Sequence, residues 1–226
     1  MRLLIDDADV EKIKKILEFY PCDGVTTNPS ILAKSGKAPY GVLREIRKLI
    51  GKDGELHVQV ISGKAETMLE EAKRIVEILG ENTYIKVPSV SEGLKAMKMM
   101  KDKGYYITAT AIYTPMQAYL AAKAGADYVA PYINRIDNLG ADGIETAKKI
   151  HNILKNNGFN TKVLAASFKN SQQIQSLCEY GIGASTAAPD IIEGLIKNAS
   201  VSVAVEDFTR DFYSICGNKK TMADCE

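Results

Sequence analysis

N-T-Y-I-K-V-P, residues 82–88, is a short run of β-forming residues closed by a proline. Lys86 stands inside it, between Ile85 and Val87. Strands that line a core rarely hold a lysine, because burying an ammonium is costly unless it is paired or neutral. A lysine that gives up its proton becomes a nucleophilic amine. The plain alternative is an exposed strand end, with the stem on apolar surface and the charge in water.

Outward from this strand, the same pattern recurs in both directions. Upstream, residues 2–6, 24–27 and 55–61 read as strands. Downstream, 105–110, 127–132, 162–167 and 181–186 do the same, so that residues 83–87 form the fourth of eight. Helical spacing fills the gaps: Val10, Ile13, Ile16 and Leu17, then 40–50, 64–79, a helix from Ser91, then 115–124, 140–157, 171–179 and a helix opening at Pro189. Asn28 followed by Pro29 reads as an N-cap with proline at the first helical position. Eight strands alternating with helices over short loops predict a parallel (β/α)8 barrel, an α/β fold of the TIM type. A doubly wound sheet fits less well, since it usually has fewer strands and a glycine-rich first turn. One helix is left over at 200–215, with Val201, Ala204, Val205, Phe208, Phe212 and Ile215 on one face. That face needs a partner, either its own barrel or a neighbouring subunit. Residues 1–216 are therefore read as one domain and 217–226 as a mobile tail.

Composition narrows the partners. A net charge of +1 over 226 residues offers no basic or acidic surface for nucleic acid or membrane. The N-terminus opens directly as a strand with no signal-peptide pattern, and no apolar run approaches the roughly 20 residues of a membrane span. Cys22, Cys178, Cys216 and Cys225 form no C-x-x-C pair, and His57 and His151 are the only histidines. No metal site and no cofactor are expected, and the cysteines read as free thiols in a reducing cytoplasm.

In a barrel, chemistry gathers at the C-terminal ends of the strands. Those ends supply Asp6 from the first strand, Thr26, Thr27 and Asn28 from the second, and Gln59 from the third. Lys86, Thr110 and Tyr132 come from the fourth, fifth and sixth, Asn134 and Arg135 follow just beyond, and Ser167 comes from the seventh. Singly, each has an ordinary explanation. Asp6 and Asn28 can cap helices, Gln59 and Thr110 can be satisfied interior polar groups, Tyr132 can pack in the barrel, and Arg135 can pair with Asp137. Together, polar groups at seven strand ends around one lysine do not look like packing. A neutral lysine attacks a ketone, forms an iminium, and so makes the neighbouring C–C bond breakable. Tyr132 is the best proton carrier, directly or through a water held by Gln59 and Thr110. Arg135 and Ser167 suit a phosphate, with backbone N–H groups near Asn170. The strand ends supply no His/Asp/Glu cluster for a metal-dependent aldolase.

Four motifs resemble the transaldolase family: G-V-T-T-N-P-S at 24–30, I-K-V-P at 85–88, A-P-Y-I-N-R-I-D at 130–137 and A-A-S-F-K at 165–169. The likeness is to its small, single-barrel branch, which includes the fructose-6-phosphate aldolases, and it runs from Asp6 to the last helix. It implies a (β/α)8 barrel with Lys86 as the Schiff-base lysine on strand four. Gln59 and Tyr132 resemble the aldolases, whereas transaldolases carry Glu and Phe there. The implied reaction is reversible cleavage of fructose 6-phosphate to dihydroxyacetone and glyceraldehyde 3-phosphate. The alternative is transfer of the three-carbon unit between sugar phosphates of the pentose phosphate pathway. By the same likeness, Lys86, Tyr132, Gln59 and Thr110 are catalytic. Asp6 and Asn28 contact donor hydroxyls, and Thr26, Ser167 and Arg135 surround the substrate. The branch implies a homo-oligomer, a pentamer or decamer, with the last helix reaching a neighbour. V-I-S-G-K after Gln59 is closer to transaldolase-like members, and Thr108 and Ala109 replace a larger apolar residue and a glycine of the aldolases. A sugar-phosphate-binding barrel without turnover is the reading from another class.

Overall fold

The computed structural model describes residues 1–225. The chain divides into two compact units, Met1–Glu193 and Gly194–Glu226. The first holds eight parallel strands closed into a barrel in sequential order. They are β1 Arg2–Asp6, β2 Gly24–Thr26, β3 Glu55–Gln59, β4 Thr83–Pro88, β5 Tyr106–Ile112, β6 Tyr128–Pro131, β7 Lys162–Ala165 and β8 Ala184–Ala187. The helices of this unit are α1 Val10–Phe19, α2 Pro29–Lys34, α3 Pro39–Ile50, α4 Ala65–Leu79, α5 Ser91–Lys101, α6 Pro115–Lys123, α7 Ile133–Asn138, α8 Gly143–Asn156 and α9 Ser171–Tyr180, and α10 Pro189–Gly194 runs across the boundary.

Strand periodicity separates two cores. Ile5, Val25, Leu56, Val58, Ile85, Val87, Ile107, Ala109, Val129 and Val163 pack with the buried faces of the helices in one large apolar cluster. Their neighbours point the other way, and Leu4, Tyr128, Leu164 and Ala184 form a second, smaller cluster with Tyr84 against it. On β4 this alternation decides the direction of the lysine. Burying Ile85 and Val87 outward stabilises the strand by about 1.5–3 kcal/mol each and turns Lys86 inward. Gly93 lets α5 close on the same strand, since a Cβ there would lie 1.9 Å from the Pro88 carbonyl oxygen.

The expected eight-stranded barrel is the observed fold, with several shifts at element ends. Strand eight begins at Ala184 rather than 181, and strand six stops at Pro131. The N–H groups of Tyr132, Ile133 and Asn134 bond to the carbonyls of Ile112, Ala166 and Ser167, and α7 begins there. That helix interrupts what the sequence reads as a connection, and α8 begins at Gly143 rather than 140.

The second unit holds α11 Ala199–Cys216 and one turn of 3-10 helix at Met222–Asp224, capped by Thr221. The expectation of four free thiols is corrected at two positions. Cys216 and Cys225 are joined in a disulfide, because the turn brings the tail back to the helix end, with Cα atoms 6.4 Å apart. Cys22 and Cys178 are free. No helix among the described residues is long and apolar enough to cross a membrane.

Candidate active site

Lys86 lies between Gln59 of β3 and Thr108 of β5 in the ladder. Its residue is 7% exposed, and its Nζ donates to the Thr27 carbonyl at 2.6 Å. Burial pushes the amine pKa down, and the nearby Asp6 carboxylate opposes that shift. The low-dielectric surroundings therefore favour the neutral, nucleophilic form. The reading as an exposed strand end does not hold.

Of the eleven polar residues read at the strand ends, the nine given catalytic or substrate roles line one cavity of about 490 Å³ at the C-terminal mouth of the barrel, and Thr27 and Asn134 do not line it. On one side, the Thr26 hydroxyl donates to Asp6 Oδ1 at 2.7 Å, and its oxygen lies 2.7 Å from the Thr186 hydroxyl. With the Thr26 proton committed to Asp6, Thr186 is the donor of that second bond. Burial raises the Asp6 pKa, while Lys86, the Thr26 bond and Arg135 act in the opposite direction. Asn28 Oδ1 accepts from the Ile31 N–H at 3.0 Å and so caps α2. Its amide N–H₂ is not consumed by that bond and remains a donor group for a hydroxyl in the cavity.

Across the mouth, Thr110 Oγ1 and the Tyr132 hydroxyl are 2.7 Å apart. The Arg135 guanidinium lies over the Tyr132 ring, 4.6 Å from its centroid, as the i, i+3 spacing at the start of α7 allows. It does not pair with Asp137, whose two oxygens instead take the Gly143 N–H and the Gln173 amide. Ser167 enters the cavity from a left-handed backbone, φ 62°. The helix start near Asn170 offers less than expected, because Asn170 itself caps α9 and Gln173 accepts the Lys169 N–H.

Sequence reasoning missed Thr186, Tyr113 and Lys34 as lining residues. Thr186 was within reach, since it alternates inward on β8. Tyr113 was not, because it lies three residues beyond the expected end of strand five. It enters the cavity through a register shift in β5.

Deeper in the barrel, His57 is fully buried, with Nδ1 2.8 Å from Thr108 Oγ1 and Nε2 3.4 Å from Glu55 Oε2. Burial lowers the His57 pKa, countered by Glu55. Glu55 also accepts from Arg2 and from the Tyr128 hydroxyl at 3.2 Å. Burial alone would raise the Glu55 pKa, but His57, Arg2 and Tyr128 hold it below the usual value. A neutral His57 donating from Nε2 leaves Nδ1 as an acceptor, so Thr108 donates to it. Among the described residues, no group of three or more His, Cys, Asp or Glu is placed to hold a metal ion.

The Transaldolase/Fructose-6-phosphate aldolase family profile matches residues 3–224. A protein of Streptococcus pneumoniae (strain ATCC 700669 / Spain 23F-1), described as a probable fructose-6-phosphate aldolase, is 40% identical over 216 residues. That match covers 95% of this chain and 97% of the other.

Proposed function

Because this chain belongs to the transaldolase/fructose-6-phosphate aldolase family, an enzyme family, we propose that it is an aldolase acting through a Schiff base on Lys86. Its reaction is the reversible cleavage of fructose 6-phosphate to dihydroxyacetone and glyceraldehyde 3-phosphate. The observation that carries this reading is a buried, deprotonation-prone amine in the same cavity as the Thr110–Tyr132 pair and Gln59.

The Lys86 nitrogen adds to the ketone C2, and the carbinolamine loses water to give an iminium. The C4 hydroxyl loses its proton, the C3–C4 bond breaks, and its electron pair becomes the enamine. Glyceraldehyde 3-phosphate leaves. The enamine takes a proton at C3, and water then adds to C2 and releases dihydroxyacetone. Tyr132, hydrogen-bonded to Thr110, handles these protons directly or through a water that Gln59 helps to hold. Asp6 and Asn28 bind donor hydroxyls, with Thr26 fixing Asp6. Arg135 and Ser167 take the phosphate, which suits the absence of an ion pair on Arg135 among the described residues. This mechanism needs no cofactor.

Transaldolase activity is the second reading, favoured by V-I-S-G-K after Gln59. Fructose 6-phosphate supplied alone separates the two. Sustained release of glyceraldehyde 3-phosphate supports the aldolase, and release only with added erythrose 4-phosphate makes the protein a transaldolase. The same reading includes a homo-oligomer, a pentamer or decamer, for which the apolar face along α11 is the support. A monomer in light scattering removes that part.

A further inference from the structure

Two cavity residues other than glycine have left-handed backbone, Ala111 at φ 57° and Ser167 at φ 62°. Such conformations cost about 1–2 kcal/mol for a residue with a Cβ and persist only where the surroundings impose them. At Ala111 the cause is a bulge, since the β5–β6 pairing changes register between Ala109 and Ile112. Bulges re-aim the side chains that follow. This one brings Tyr113 into the cavity, and the mechanism above gives Tyr113 no role.

Tyr113, Tyr132 and Arg135 form one cluster. The Tyr113 ring meets the Tyr132 ring edge-on, with centroids 5.7 Å apart and planes at 81°. Arg135 covers the Tyr132 face. The Tyr113 phenol oxygen, as acceptor for the guanidinium, is the leading influence raising the Arg135 pKa, ahead of the opposing effect of burial. Two phenols thus hold the guanidinium without neutralising it, which leaves its charge for an anion. The hydroxyl of the same Tyr132 ring is bonded to Thr110. One ring therefore carries the anion-binding cation on its face and the proton-handling group at its edge.

We propose that Tyr113 is a positioning residue that couples occupation of the anion site at Arg135 to the placement of the Tyr132 hydroxyl. A phosphate that draws on Arg135 fixes the guanidinium, and the Tyr113–Tyr132 contact fixes the ring beneath it. The inference rests on the Schiff-base reading above. Its consequence is that phosphate binding raises the rate at Lys86 as well as the affinity.

The test is aldol addition of dihydroxyacetone to glyceraldehyde 3-phosphate and to glyceraldehyde, the latter with and without phosphite. The wild type is expected to prefer the phosphorylated acceptor in kcat/KM, and phosphite is expected to accelerate the glyceraldehyde reaction. Tyr113→Phe keeps the ring and loses the hydroxyl. It should narrow the preference about tenfold, equivalent to ~1.4 kcal/mol, and weaken the phosphite effect by a similar factor. Tyr113→Leu, lacking the ring as well, should narrow the preference further. Equal losses on both acceptors, with the phosphite effect intact, would leave Tyr113 a packing role only and overturn the proposal. So would a wild type that traps dihydroxyacetone on Lys86 under borohydride yet shows no preference for the phosphorylated acceptor, and the Schiff-base reading would then survive. A wild type that traps no adduct would overturn both.

Discussion

Replacing Lys86 by methionine should abolish covalent trapping of ketones and at the same time stabilise the fold. The wild-type barrel buries an amine whose charged form is disfavoured by desolvation, with the Asp6 carboxylate acting in the opposite direction. Exchanging a buried charge for an apolar side chain of similar volume typically stabilises by about 1–4 kcal/mol. Against that, the variant loses the Nζ hydrogen bond to the Thr27 carbonyl, worth about 1 kcal/mol. The net gain is about 0–3 kcal/mol, which for a chain of this size raises Tm by up to roughly 6–12 °C. The gain depends on pH. The Lys86 pKa is lower in the folded protein than its ordinary value of 10.5, so between those two values the unfolded chain binds more protons. Wild-type stability rises with pH across that window, and below the folded pKa the penalty is constant. The advantage of Lys86→Met is therefore largest below the folded pKa and shrinks as the pH approaches 10.5. Urea unfolding of both proteins at a series of pH values measures it, with borohydride trapping of dihydroxyacetone alongside. A lower stability for the variant, or a difference that stays constant up to alkaline pH, would refute the argument that Lys86 is held against its charge.

Other outcomes follow from the same geometry. Tyr132→Phe should slow release of free dihydroxyacetone by about 10²-fold or more, while transfer to an added aldehyde falls less, and equal losses in the two assays would remove the role of the phenol in water activation. Gly93→Ala should destabilise by about 2–3 kcal/mol in urea unfolding, because its Cβ would press on the Pro88 carbonyl and push α5 off the lysine strand; an unchanged midpoint would mean that the helix yields at no cost. Ser167→Gly should raise stability by about 0.5–1 kcal/mol by relieving the left-handed backbone, while raising KM for fructose 6-phosphate through the lost hydroxyl. Glu55 has a depressed folded pKa, so its contribution is present above its unfolded value of 4.5 and is lost as pH falls through the lower folded value. Glu55→Gln should accordingly flatten the acid limb of the stability profile, and an unaltered limb would place that dependence elsewhere.

The barrel and its lysine were legible in the sequence because both depend on local rules. A period of two along each strand sets which side chains face the helices, and once Ile85 and Val87 go outward, Lys86 has to go inward. Eight such strands leave few other ways to bury their apolar faces. The polar strand ends were readable for the same reason, and nine of the eleven residues named there line one cavity. What the sequence did not show depends on contacts between strands distant in the chain. The break in pairing between Ala109 and Ile112 is a mismatch of β5 with β6 and has no signature in either strand alone. It is what brings Tyr113 to the Tyr132 ring, and α7 is what lays Arg135 across that ring. The lowered Lys86 pKa likewise arises from burial, against the opposing pull of Asp6, and only barrel closure buries the amine and brings the carboxylate near it. Local periodicity decided which side chains enter the barrel, and the closure of the sheet decided what each of them meets, because desolvation, stacking and hydrogen bonding act across space rather than along the chain.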